Sequence, residues 1–249
     1  MSKNLNKKEI EKFSRQIILK NIGATGQKKI LSSKVLIVGM GGLGCPVAEF
    51  LTRSGIGTLG IADHDTVSLS NIHRQSLYNE KDINQSKVKI AKKKLNKINS
   101  KTKINIFNLK LNKTTFEKII KNYDYIVDGT DNFESKFLIN DISLDYKKFL
   151  VVGAISKFDG HIFSFDFKNK NNPSLRDFYQ KEVVTDDILN CEYDGILGTV
   201  AGIVGTMQAN EILRKILNIG QNLNGFILIL DLLNLSFRKI KINKRKKWK

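Results

Sequence analysis

At 249 residues, 41% of them hydrophobic, the chain can bury one substantial core and sits near the upper size at which a core stays undivided. Its net charge of +18, from 42 Lys and Arg against 24 Asp and Glu, comes with abundant Asn and Ile, as an AT-rich coding sequence would also produce; nucleic acid is not the expected partner, and a small acidic protein would suit the surface equally. Cys45 and Cys191 form no C-x-x-C pair, no run approaches the ~20 apolar residues of a membrane span, and the charged N-terminus lacks a signal-type stretch, so the expectation is a soluble cytoplasmic protein without disulfides or a membrane partner.

Apolar residues at helical spacing in EIEKFSRQIILK open the chain with an amphipathic helix, part of a helical arm over about 5–31 that ends in the short segment GQKKIL. KVLIVG then reads as a buried parallel strand, LGCPVAEFLTRSG as a helix, and TLGIAD as a strand ending on an acid. A basic helix (QSKVKIAKKKLNKIN), a strand (INIFNL), a helix (TTFEKIIKN) and a second acid-terminated strand (YDYIVDGTD) follow, then the helix NFESKFLINDISLDY and the strand FLVVGAI. Strands separated by helices predict an α/β fold with a doubly wound, Rossmann-like, mostly parallel sheet. DGHIFSFDF alternates like a strand with one exposed face, and a long polar loop spans about 168–198. LGTVAGIVGTMQANEILRKILNI is a long helix with a small-residue face. FILILDLL and LSFRKIKI are C-terminal antiparallel strands, before a basic tail at 242–249. A single domain over 1–249 is the economical organisation.

Gly39, Gly41 and Gly44 in VLIVGMGGLG follow a strand and open a helix, where backbone N–H groups and the helix dipole can receive phosphate. Asp63 ends the next strand, where a carboxylate can hold ribose hydroxyls. These features fit NAD and ATP alike. Asn71 and Arg74 in DHDTVSLSNIHRQ, Lys87 at a helix start and Asp131 in DGTDN add the cationic and metal-binding groups that a triphosphate needs. Asp65, Ser70 and Asn132 flank them as further candidate nucleotide contacts. The histidines His64, His73 and His161 are given no catalytic role.

SRQIIL, GMGGLG, RSGIGTLGIADHD, SNIHRQ, the lysine of QSKVKIA, DGTDN and GILGTVAGIVGTMQANE together resemble the ThiF, MoeB and HesA group of ubiquitin-activating-type adenylyltransferases, from about Phe13 to Phe237. The resemblance implies a homodimer that adenylates the C-terminal glycine of a small ubiquitin-like sulfur carrier ending in Gly-Gly, with a sulfurtransferase as a further partner, in thiamine or molybdopterin biosynthesis. It implies ATP against Gly42 and its neighbouring glycines, ribose on Asp63, phosphates on Asn71, Arg74 and Lys87, and Mg²⁺ on Asp131. Arg15 would reach across the dimer into the partner's site. Cys191 falls where some relatives form a covalent sulfur link to the carrier, whereas Cys45 reads as structural. Many members hold zinc with two C-x-x-C pairs; here those regions read NPSLRDFYQ and NKRKKWK, so no zinc is expected, and packing of Phe178 and Tyr179 is the alternative support for the long loop. The competing readings are a NAD-dependent oxidoreductase, a tRNA threonylcarbamoyladenosine dehydratase of the same superfamily, and a basic nucleic-acid-binding module.

Overall fold

A computed structural model describes residues 4–179 and 195–244. The strands are β1 (Lys34–Val38), β2 (Thr58–Ala62), β3 (Lys103–Phe107), β4 (Tyr125–Asp128), β5 (Phe149–Ser156), β6 (Asp159–Asp166), β7 (Phe226–Asp231) and β8 (Ser236–Lys241). They form one sheet in the order β3-β2-β1-β4-β5-β6-β7-β8. β3 through β5 in that order run parallel, and the remaining pairs are antiparallel. The expected doubly wound sheet with antiparallel C-terminal strands is the observed one.

The helices are α1 (Lys7–Lys12), α2 (Ser14–Ile17), α3 (Gly23–Ser32), α4 (Gly44–Ser54), α5 (Lys87–Ile98), α6 (Lys113–Ile120), α7 (Phe133–Asp145), α8 (Leu175–Phe178) and α9 (Gly198–Leu217). Successive residues of β1 explain why helices must lie on both faces. Val35 and Ile37 enter a core shared with α3, α4, α5 and α9, while Leu36 and Val38 enter a second core with α6, α7 and α8. A strand covered on both sides needs an unbroken apolar run, as KVLIV provides.

Two local readings are corrected. The opening helix breaks into α1 and α2 at Phe13, which caps α1 and turns its ring into the body, where it is buried. β6 has no exposed face along its centre: Ile162, Phe163, Ser164 and Phe165 are buried, because α9 covers one side and Phe178 and Tyr179 pack on Phe163 on the other. The fully exposed strand is β8.

The start of the long loop is anchored. Ser174 caps α8, Leu175 N–H donates to Asn140 Oδ1 at 2.9 Å, and Arg176 forms a forked pair with Asp141 at 2.7 and 2.6 Å. Phe178 packs on Phe163 and Tyr179 on Phe133, with ring centroids 5.1 and 4.9 Å apart. No helix among the described residues is long and apolar enough to cross a membrane.

Candidate nucleotide-binding site

β1 connects to β2 on one side of the sheet, and β4 lies on β1's other side, so the strand order reverses between β1 and β4. In such sheets the crevice beyond the carboxyl ends of the strands is where ligands bind. A cleft of about 980 Å³ opens there.

The glycine turn forms its floor. Gly39 adopts φ +89°, and a β-carbon there would lie 2.7 Å from Gly129 O; one on Gly44 would lie 1.9 Å from Gly39 O. A side chain at Gly39 would separate the turn from the end of β4, and one at Gly44 would push Gly39 away from the start of α4. Gly39, Gly41 and Gly42 line the cleft, whereas Gly44 serves the packing beneath it. Among the described residues the N–H groups of Gly41, Gly42 and Leu43 have no acceptor, which leaves them free for an anion at the start of α4.

Asp63 stands beside this turn and helps shape it. Its Oδ2 accepts from Met40 N–H at 2.7 Å and its Oδ1 from Asp65 N–H at 2.9 Å. The cleft wall continues through Asp65, Ser70, Asn71, Arg74 and Lys87. Lys87 is buried and donates from Nζ to Asp65 Oδ2 at 2.8 Å. Burial alone would raise the Asp65 carboxyl pKa, but the Lys87 hydrogen bond and charge bring it below the ordinary value. Arg74 Nη1 lies 2.8 Å from Ser70 O and 2.8 Å from His73 Nε2, and its stem lies near Gly42, where a β-carbon would stand 3.7 Å from it and 3.1 Å from Ala201 Cβ of α9. Gly198 permits this close approach, since a β-carbon there would meet His73 O at 2.3 Å.

Asp131 faces the cleft from the opposite side, but not from a strand end. β4 stops at Asp128, and Asp131 sits in the turn beyond it. Its carboxylate is exposed, receives one bond of 3.3 Å from Asn132 Nδ2, and makes no ion pair among the described residues. Asn132 also lines the cleft and caps α7 by accepting from Ser135 N–H at 2.9 Å. Arg15 is exposed on α2 and does not line this chain's cleft. Cys191 lies outside the described residues.

Several supporting residues escaped the sequence reading. Tyr78 is buried, and its hydroxyl reaches Met40 O at 3.0 Å and Lys87 O at 3.3 Å, tying the glycine turn to the start of α5. Asp128 is fully buried; its Oδ1 accepts from Thr130 N–H at 2.9 Å and Thr130 Oγ1 at 2.6 Å, while Lys136 Nζ lies 3.4 Å from its Oδ2. Lys136 also donates to Gly153 O at 2.7 Å, and Gln208 Nε2 to Asp128 O at 2.8 Å. An acid two residues before a threonine is an Asx-turn signal, so D-G-T held the clue. Nothing in the sequence pairs Lys136 with it.

Cys45 is enclosed in α4, and burial pushes its thiol pKa up to about 12. Iodoacetamide at pH 8 is therefore expected to leave Cys45 unmodified in the native protein and to label it after unfolding. Peptide mass mapping reads both states, and labelling of native Cys45 would contradict its structural role.

The sheet, the anion-ready turn and the cation-bearing cleft at the switch point define a nucleotide-binding α/β protein. The chain belongs to the ThiF family, whose model matches residues 13–249. It is 38% identical over 239 residues to a probable molybdopterin-synthase adenylyltransferase of Gracilaria tenuistipitata var. liui, a match covering 96% of this chain and 66% of that one. It is 34% identical over 241 residues to the sulfur carrier protein adenylyltransferase of Thermus thermophilus, covering 96% of this chain and 89% of that one. The chain thus spans just under two thirds of the red algal relative's length, and 56% of that of the adenylyltransferase and sulfurtransferase MOCS3 of Dictyostelium discoideum. Among solved structures, Escherichia coli MccB with ATP superposes with a TM-score of 0.81 at 20% identity, covering 94% of this chain and 72% of that one. PaaA superposes with a TM-score of 0.80 at 24% identity, covering 98% and 77%.

Proposed function

We propose that the protein uses ATP to adenylate the C-terminal glycine carboxylate of a small ubiquitin-like sulfur carrier, releasing pyrophosphate. The observation that carries this reading is the meeting of Asp63, Asn71, Arg74, Lys87 and Asp131 in one cleft of a ThiF-family chain. The names of its relatives, which specify molybdopterin synthase and a sulfur carrier protein, favour this substrate class over an RNA and lean toward the molybdopterin pathway over thiamine.

In this reading the glycine turn receives phosphate, Asp63 holds the ribose, and Ser70, Asn71, Arg74 and Lys87 contact the phosphates. Asp131 would hold Mg²⁺: a hard oxygen donor outside any ion pair among the described residues, lining the same cleft as the anion-ready turn, suits a cation that keeps several waters and shares phosphate ligands. When bound, the ion neutralises phosphate charge. The attacking group is a carboxylate that is already anionic, so no side chain need remove a proton. The oxygen–phosphorus bond forms at the α-phosphorus as the bond to pyrophosphate breaks, and catalysis falls to fixed charges and orientation. Arg15, exposed and outside its own cleft, fits a role in the site of a second copy, which makes the working unit a homodimer.

ATP–pyrophosphate exchange in the presence of carriers ending in Gly-Gly tests the reaction. Exchange is expected with at least one carrier; none with any of them overturns the proposal. Tight NAD binding without ATP binding would favour the oxidoreductase reading instead. Arg15→Ala and Asp131→Ala proteins should each be inactive alone. Mixed after subunit exchange, they should recover roughly a quarter of wild-type exchange, because half the dimers then carry one intact site. Failure to recover any activity would place Arg15 outside the partner's site.

A further inference from the structure

We propose that Gln75 is a nucleotide-contacting residue whose amide engages the phosphate chain; the inference rests on the nucleotide reading above. Gln75 closes SNIHRQ and shares its turn with the proposed phosphate ligands. Its backbone N–H donates to Asn71 O at 3.0 Å, the carbonyl that also receives Arg74 N–H at 3.1 Å, and its own carbonyl accepts from Tyr78 N–H at 3.0 Å. The backbone is thereby fixed on both sides, and the side chain lies against the glycine turn. A β-carbon placed on Gly41 would stand 3.6 Å from Gln75 Nε2.

Among the described residues the side chain nevertheless has no hydrogen-bond partner. Gln75 is 3% exposed and lines the cleft, yet its Oε1 is buried with no partner, and Nε2 has no acceptor among the described residues. The described residues contain five buried side-chain atoms in this condition, on Thr52, Gln75, Ser143, Gln208 and Asn222. Of these residues only Gln75 borders the cleft. Enclosing an amide without partners costs stability that a methionine of similar volume would not forfeit. The cost is understandable where a ligand supplies Nε2 with its missing acceptor.

The position identifies which part of the ligand that is. Gly41 and Gly42 present unpaired N–H groups beside Gln75, and Arg74 is its neighbour in sequence, so the amide stands among phosphate-binding donors. Asp63, the proposed ribose ligand, holds Met40 on the other side of the turn. Nε2, which abuts Gly41 in the glycine turn, donates to a phosphoryl oxygen.

Gln75→Met separates this role from a structural one because its two effects have opposite signs. The melting temperature of the nucleotide-free protein should rise or hold. Affinity for ATP, measured by calorimetry, should fall roughly 10-fold or more, while affinity for adenosine stays within about twofold. Gln75→Glu, which sets a carboxylate where a phosphoryl oxygen is placed, should weaken ATP further and spare adenosine. Unchanged ATP affinity in both variants overturns the proposal, as does an equal loss for ATP and adenosine. Wild-type protein that binds neither ligand overturns the nucleotide reading itself, whatever the variants do.

Discussion

Asp131→Ala is expected to reduce ATP–pyrophosphate exchange at least about 100-fold while the melting temperature moves by no more than about 2 °C. The two halves of this expectation have separate physical sources. Asp131 is exposed, its one internal bond is a long contact from Asn132, and the turn that carries it is shaped by Asp128 and Thr130. Truncating it removes nothing that the fold leans on, and exposed substitutions of this kind usually stay within about 0.5 kcal/mol. The chemistry is another matter. With a carboxylate as nucleophile and pyrophosphate as leaving group, negative charge accumulates around the α-phosphorus. Among the described residues four lysine and arginine side chains line this chain's cleft, Arg74, Lys87, Lys110 and Lys136, and the last is already committed to Asp128 and Gly153 O. Losing the carboxylate that would hold a divalent cation leaves that charge undercompensated. Retained exchange by a folded Asp131→Ala protein would show that the cation, if needed at all, is held elsewhere.

The fold was largely legible because each parallel strand is an apolar run that periodicity can find, and each is followed by helical spacing of the other kind. The opening arm was less so. Its apolar spacing continues through Phe13, and only tertiary packing of that ring against Gly55 and the neighbouring core divides α1 from α2. β6 was misjudged for a related reason. Its polar positions, such as Ser164, are buried because Glu211 of α9 receives the Ser164 hydroxyl at 2.9 Å, and a sequence shows the serine without its partner. At the site, residues that contact solvent across the cleft were found from motif and strand order. The supporting residues were not, since Tyr78 and Lys136 act through partners distant in sequence and the unpaired amide of Gln75 shows only in the fold. Gly44 marks the same boundary from the other side: it belongs to the glycine motif, yet its part is to let Gly39 close over it.

Replacing Lys136 with methionine should destabilise the protein by about 3–5 kcal/mol, lowering its melting temperature by roughly 10 °C. The lysine ammonium and the Asp128 carboxylate are both withdrawn from water, with 6% and 0% of their side chains exposed, and they approach to 3.4 Å. Methionine matches the stem but leaves Asp128 with only the two bonds from Thr130, so an unpaired charge stays in the interior. Asp128→Asn in the same background should restore most of the loss. An amide oxygen still accepts from Thr130, and no charge remains to be compensated. A double-mutant cycle should therefore report coupling of about 2 kcal/mol or more between the two positions. Single variants that each cost under about 1 kcal/mol would mean that the Lys136 bond to Gly153 O, rather than the ion pair, is what joins this turn to β5. The same cycle read by exchange activity locates the pair in the mechanism. If it acts only by holding the turn that presents Asp131, the double variant should regain activity together with stability, whereas a stable but inactive double variant would give Lys136 a direct part in the reaction.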